Sequence, residues 1–146
     1  MKTLLTAAAL AASFALSAHA QSPIQVYAAD SLRPAFEEIT TAYTATKVEA
    51  QYASSGQLRD RIAAGERPAL FAATNVDLPH SLTRAGLAGP VKRFARGGGS
   101  EYGLVLVHGS GEEAWYFSQF ILSPAGQAIL VKHGFSRGPS AVVAGK

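Results

Sequence analysis

Two short segments set serines between a β-prone stretch and a helical one, Ala29-Asp30-Ser31-Leu32 and Ala53-Ser54-Ser55-Gly56. At such a junction the first backbone N–H groups of the helix have no partner inside it, and the helix dipole places partial positive charge on them. The hydroxyls of Ser31, Ser54 and Ser55, together with the unpaired backbone amides of the two turns, can hold a small anion with no lysine or arginine touching it. Gly56 carries no Cβ, so its backbone can approach a ligand closely. The same serines serve equally well as plain N-caps, and the residues alone leave both roles open.

Other chemistry finds little support. The chain has no G-x-G-x-x-G, G-x-x-x-x-G-K, H-E-x-x-H or G-x-S-x-G pattern, and it has no cysteine, which excludes thiol catalysis and thiolate metal sites. Beyond the first twenty residues the histidines are His80, His108 and His133, each isolated from another histidine or a spaced acid, and are expected to be surface or capping residues. Glu37-Glu38 and Glu112-Glu113 are neighbours in sequence, so they do not face one another on a helix, and both pairs are expected in first turns. Asp60 between Arg59 and Arg61 reads as a solvated helix face. A hydrolase built on Ser55 or Ser110 would lack a visible base. No catalytic residue, metal site or cofactor is expected.

The elements that must position the serines follow from periodicity. Ile24 to Ala28 is short and β-prone, and Leu32, Ala35, Phe36, Ile39 and Tyr43 then recur at helical spacing, with Ser31 as N-cap and Pro34 in the first turn. Val48 to Tyr52 alternates with period two, and Gln57 to Ala64 reads as a helix stopped by Gly65. Ala69 to Ala73 is wholly apolar, as in a strand buried on both faces, and Pro79 to Ala85 reads as a short helix ending at Gly86. Val91 to Ala95 is a further strand that runs into Gly97-Gly98-Gly99-Ser100, a flexible joint by composition, and Tyr102 to Val107 is the most strand-like run. A helix carrying Trp115, Phe117, Phe120 and Ile121 follows, then one capped by Ser123-Pro124 that runs through Lys132 and closes at Gly134. Alternating strands and helices predict a three-layer α/β sandwich with a mostly parallel sheet. In such a sheet the serine turns open at one edge, beyond the carboxyl ends of the strands.

Composition fits that class. The 146 residues are 48% hydrophobic and 16% charged, which suits one globular domain. Lys2, the apolar run Leu4 to Leu16 and Ala18-His19-Ala20 read as a secretory signal cleaved after Ala20, its apolar run too short for the roughly 20 residues of a membrane span. The remaining 126 residues carry 12 basic against 10 acidic side chains, too mild an excess to signal nucleic acid binding. An exported chain without cysteine is expected in a bacterial periplasm or at the cell exterior, the periplasm being the favoured place. The tail 136–146 is small, polar and expected to be loose.

The run Val26-Tyr27-Ala28-Ala29-Asp30-Ser31-Leu32, the turn Tyr52-Ala53-Ser54-Ser55-Gly56-Gln57-Leu58, Ile62-Ala63-Ala64-Gly65 and Leu70-Phe71-Ala72-Ala73 resemble, in order and spacing, the substrate-binding proteins of molybdate ABC importers. Phe120 to Leu130 followed by His133-Gly134-Phe135 is similar to the closing helices of the same type II periplasmic binding proteins. The resemblance implies a non-enzymatic protein that holds a small oxyanion, molybdate or tungstate, and delivers it to a transporter membrane component. It assigns the ligand hydroxyls to Ser31 and Ser55, with Ser54 and the amides of Asp30 and Gly56 beside them. Asp30 departs from the small residue usual there, and its carboxylate would repel an anion unless it turns away. The family also has two lobes joined by hinge strands. Here Phe94-Ala95-Arg96 resembles the outgoing strand and Tyr102-Gly103-Leu104-Val105 the return, so 21–135 is expected to be one lobe, with Gly97–Ser100 replacing the other by engineering or by natural deletion. One lobe implies a half-site and weak binding. The alternative is a non-binding single-lobe scaffold that self-associates through the former interlobe surface.

Overall fold

The computed structural model describes residues 21–142, so the expected signal and the last four residues of the tail lie outside the described residues. The strands are β1 (Ile24–Ala29), β2 (Val48–Ala53), β3 (Leu70–Ala73), β4 (Lys92–Gly97), β5 (Ser100–Leu106) and β6 (Ser136–Arg137). The helices are α1 (Arg33–Ala42), α2 (Ser55–Ala63), α3 (Asp77–Arg84), α4 (Glu112–Leu122) and α5 (Pro124–Lys132), with a 3-10 turn over Asp30–Leu32 ahead of α1. No helix among the described residues is long and apolar enough to cross a membrane.

Alternation along the strands sorts side chains to two cores. Val26, Ala28, Leu70, Ala72 and Leu104 pack with Phe36 and Ile39 of α1, Phe117 and Ile121 of α4 and Leu130 of α5. Tyr27, Phe71, Ala73 and Val105 face the other way, onto Leu58 and Ile62 of α2 and Leu82 of α3. The result is the expected three-layer α/β sandwich around a six-stranded sheet ordered β2-β1-β3-β5-β4-β6.

The sheet is not mostly parallel. β2, β1 and β3 pair in parallel, whereas β3 with β5, β5 with β4, and β4 with β6 are antiparallel. The reason lies in the glycine tetrad. Gly97 and Ser100 are paired strand residues, and Gly98 and Gly99 form a two-residue hairpin loop with φ of 57° and 79°. Positive φ at both central positions matches the right-handed twist of the flanking strands and costs glycine nothing, so composition that reads as a joint folds as a tight turn. A two-residue reversal can only make an antiparallel pair.

Other expectations shift for local reasons. α3 starts at Asp77 because Asn75 Oδ1 accepts from Leu78 N–H at 3.0 Å, setting the start ahead of Pro79. The stretch Ser136–Val142, expected to be loose, is hydrogen-bonded: β6 pairs with β4, Ser140 Oγ accepts from Arg93 N–H at 3.0 Å, and Val142 N–H donates to Leu122 O at 2.8 Å. Glu37 and Glu38 lie past the first turn of α1. Glu38 instead ties α1 to α5, accepting from Lys132 Nζ at 2.7 Å and lying 2.6 Å from His133 Nε2; the Lys132 bond, then that of His133, lowers its pKa.

Arg61 likewise leaves the solvated face expected for it. Its guanidinium lies 4.5 Å over the Tyr27 ring and donates to Glu66 Oε1 at 2.8 Å, Gln51 Oε1 at 3.0 Å and Tyr27 OH at 3.0 Å. Tyr27 OH donates to Glu66 Oε1 at 2.6 Å, so the Glu66 carboxylate links β1 to α2, and Arg61 extends the link to β2 through Gln51. The Arg61 bond, then that of Tyr27, lowers the Glu66 pKa from 4.5 to about 2. A depressed folded pKa adds stability that is present above 4.5 and lost as pH falls through 2. Thermal melts across this range should therefore show the melting temperature of Glu66→Gln falling less steeply with acid than that of the parent. Parallel curves would refute the coupling.

Candidate functional site

The parallel half of the sheet brings the serine turns together. Ala29 pairs in register with Ala53, and Ala28 with Ala72, so β1, β2 and β3 end at one level. Asp30, Ser54 and Thr74 are each the first residue beyond their strand, on three adjacent strands with β1 in the middle. The turns holding Asp30, Ser31, Ser54, Ser55 and Gly56 thus lie at the carboxyl edge, where an open α/β sheet binds its ligands.

The hydroxyls differ in what already holds them. Ser31 is exposed in the 3-10 turn; it makes no side-chain cap, because the extra turn separates it from the start of α1, whose N-cap position is Leu32. Ser54 is the N-cap of α2, accepting from Gln57 N–H at 3.2 Å, and its own O–H proton stays free for an acceptor. Leu58 N–H is the first to bond back, to Ser54 O at 3.1 Å, which leaves the N–H groups of Ser55 and Gly56 without a partner among the described residues. A Cβ built on Gly56 would meet nothing within 4 Å, so the space in front of that amide is open.

Ser55 is 7% exposed and turned inward. Its Oγ accepts from Thr74 N–H at 3.1 Å and lies 3.2 Å from Thr74 Oγ1. Two hydroxyls sharing one hydrogen bond consume one of their two protons, so the Ser55–Thr74 pair keeps one O–H donor. Thr74 was not singled out from the sequence. The signal was available, since Ala73-Thr74-Asn75 passes from an apolar strand to polar residues before a helix, as the two serine turns do.

Asp30 does turn to a cation. Its Oδ1 lies 3.4 Å from Arg33 Nη2, and that guanidinium stacks 4.4 Å from the Tyr52 ring centroid. The exposed pair offsets part of the carboxylate's repulsion toward an anion. Burial, then the nearby Glu37 charge, pushes the Tyr52 phenol up to about 12 against the opposing Arg33 charge, so it stays neutral at physiological pH.

Cavities of about 320, 430 and 570 Å³ lie elsewhere; none is lined by Asp30, Ser31, Ser54, Ser55, Gly56 or Thr74. Among the described residues no three histidines or carboxylates converge as a metal would need. His80 is exposed, His108 Nδ1 donates to Gly86 O at 2.9 Å, and His133 is paired with Glu38.

A family profile described as bacterial extracellular solute-binding protein matches residues 24–100, more than half of the chain and all three serine and threonine turns. The chain belongs to this family of bacterial extracellular solute-binding proteins. Among solved structures, the substrate binding domain of a putative molybdenum ABC transporter from Clostridium difficile superposes with TM-score 0.66 at 14% identity, over 79% of this chain and 98% of that one. At that identity the likeness shows the fold alone. The periplasmic molybdate-binding protein of Azotobacter vinelandii aligns at 24% identity over 49% of this chain and 32% of that one, with TM-score 0.46. No match is found among curated proteins.

Proposed function

We propose that this solute-binding protein is one lobe of an ABC importer's ligand carrier, holding a tetrahedral oxyanion, molybdate or tungstate, at a half-site made by the three βα turns. The observation that carries the reading is the register of β1, β2 and β3, which aligns Ser31, Ser54, the Ser55–Thr74 pair and the Gly56 amide at one edge. Every donor there is neutral, so an oxyanion is met by hydroxyl and amide protons at the positive end of α2. The chemistry is binding alone, since no base stands within hydrogen-bond reach of any of these serines among the described residues. The leader would place the chain in the periplasm after cleavage following Ala20, and the transporter membrane component would be its partner.

The second lobe is absent on this reading, and the hairpin at Gly98-Gly99 joins the two strands that would have led to it. β5 runs three residues past the level at which β3 ends, from Gly103 opposite Ala73 out to Ser100, so the hairpin tip stands at the edge that carries the turns. Without an opposing lobe the bound ion keeps water on one side, and affinity is low.

Calorimetric titration with molybdate, tungstate and sulfate tests this. Weak saturable heats are expected for molybdate and tungstate, and Ser31→Ala should lower the affinity about tenfold, the ~1.5 kcal/mol of one hydrogen bond to a charged group. The Ser31 side chain is exposed and makes no hydrogen bond among the described residues, so the fold should not confuse the result. Absence of heat with all three anions would sink the reading and leave a non-binding scaffold.

A further inference from the structure

At the opposite edge of the sheet, where β5 ends and α4 begins, lies a cavity of about 430 Å³ that the oxyanion reading does not use. Its volume is that of a small-molecule site. Leu106 of β5 lines it with aliphatic surface over the buried Leu104, and Trp115 of α4, the only tryptophan in the chain, lines it while remaining 48% exposed. Such exposure is unusual for the largest apolar side chain and presents a flat face to a ligand. The Trp115 ring is steadied by an edge contact with Tyr116 at 5.1 Å between centroids. Lys92 is the one lysine or arginine in the lining. Lys92 lines the cavity and forms no ion pair among the described residues, Gln119 forms no side-chain hydrogen bond there, and no carboxylate lines the cavity.

We infer that this cavity is a second binding site, for a small aromatic carboxylate. The aromatic ring stacks on Trp115 above Leu106, and the carboxylate takes Lys92 and the Gln119 amide. A neutral aromatic would leave Lys92 without a counter-charge, and a bare oxyanion would leave the indole and leucine surface in water. The inference is independent of the oxyanion site, which lies across the sheet.

The test uses the fluorescence of Trp115 in the full chain, titrated with benzoate, with neutral benzamide and with molybdate. A saturable change with benzoate is expected, with benzamide and Lys92→Gln each about five-fold weaker, as for one exposed ion pair. Molybdate should leave the signal unchanged. Trp115→Ala, followed by calorimetry, should bind benzoate about ten-fold more weakly. Lys92 and Trp115 are both exposed, so neither change threatens the fold. Lack of saturation up to about 10 mM benzoate, a free energy too small for specific recognition, would overturn the proposal, as would equal affinity for benzoate and benzamide.

Discussion

Gly126→Ala should destabilise the fold by about 3 kcal/mol or more, at the upper end of what forced overpacking costs. The sequence around it gives no hint of this, because glycine in a helix is ordinarily improved by alanine. Here, however, Gly126 is buried in the first turn of α5, and a single residue, Ser123, separates that helix from α4. A Cβ at 126 would overlap Phe120 O and lie 2.7 Å from Ile121 O and 2.8 Å from Ile121 Cα, all of them backbone. Neither helix can move away. Ser123 Oγ accepts from Gly126 N–H at 3.2 Å, and the fully buried Gln127 donates through Nε2 to both Phe94 O at 2.9 Å and Ile121 O at 3.0 Å. These bonds lock α5 to the end of α4 and to β4 at once. For a domain of this size the loss is worth roughly 10 °C or more in melting temperature. Gly56→Ala serves as the control, since its Cβ would stand in open space within a helix, and it should melt at or slightly above the parent. A Gly126→Ala protein that melted with the parent would show that the α4–α5 corner yields.

Ser55→Ala should act on stability and on binding together. The buried Oγ is the acceptor for Thr74 N–H at 3.1 Å, and its removal leaves that amide without a partner where water enters poorly. The expected cost is about 1–3 kcal/mol, read from urea denaturation. The same change leaves the Thr74 hydroxyl without the partner that orients it at the edge. If the turns hold an oxyanion, molybdate affinity should fall about tenfold or more, measured well below the melting temperature so that folded protein is compared with folded protein. Ser55→Thr keeps the hydroxyl and should recover both properties in part. Stability lost while molybdate binding stayed at the parental level would confine Ser55 to a structural role and remove it from the half-site.

Local chemistry made much of the fold legible before any coordinates. Ser54 caps α2 and Ser123 caps α5 because a short hydroxyl side chain can reach an unpaired amide only two or three residues ahead, a relation contained in the sequence itself. The apolar run Leu70-Phe71-Ala72-Ala73 is a strand buried on both faces, as its composition requires. Ser31 looked like the same kind of cap as Ser54, but a 3-10 turn intervenes, and the difference depends on how Leu32 packs into the core, where it is wholly buried.

By itself the sequence determined the order of strands and helices up to the end of α5, the two-sided alternation that makes three layers, and the placing of Asp30, Ser31, Ser54, Ser55 and Gly56 at the junctions. These depend on contacts between residues close in the chain. Only the tertiary structure decided which junctions share an edge, that Thr74 completes them through Ser55, that the glycine tetrad is a tight hairpin turning half the sheet antiparallel, and that Arg61 and Glu38 are tied to distant elements. Each of these joins residues far apart in sequence. Such pairings are selected by the packing of whole layers, where the gain from burying both faces of the sheet outweighs any local preference.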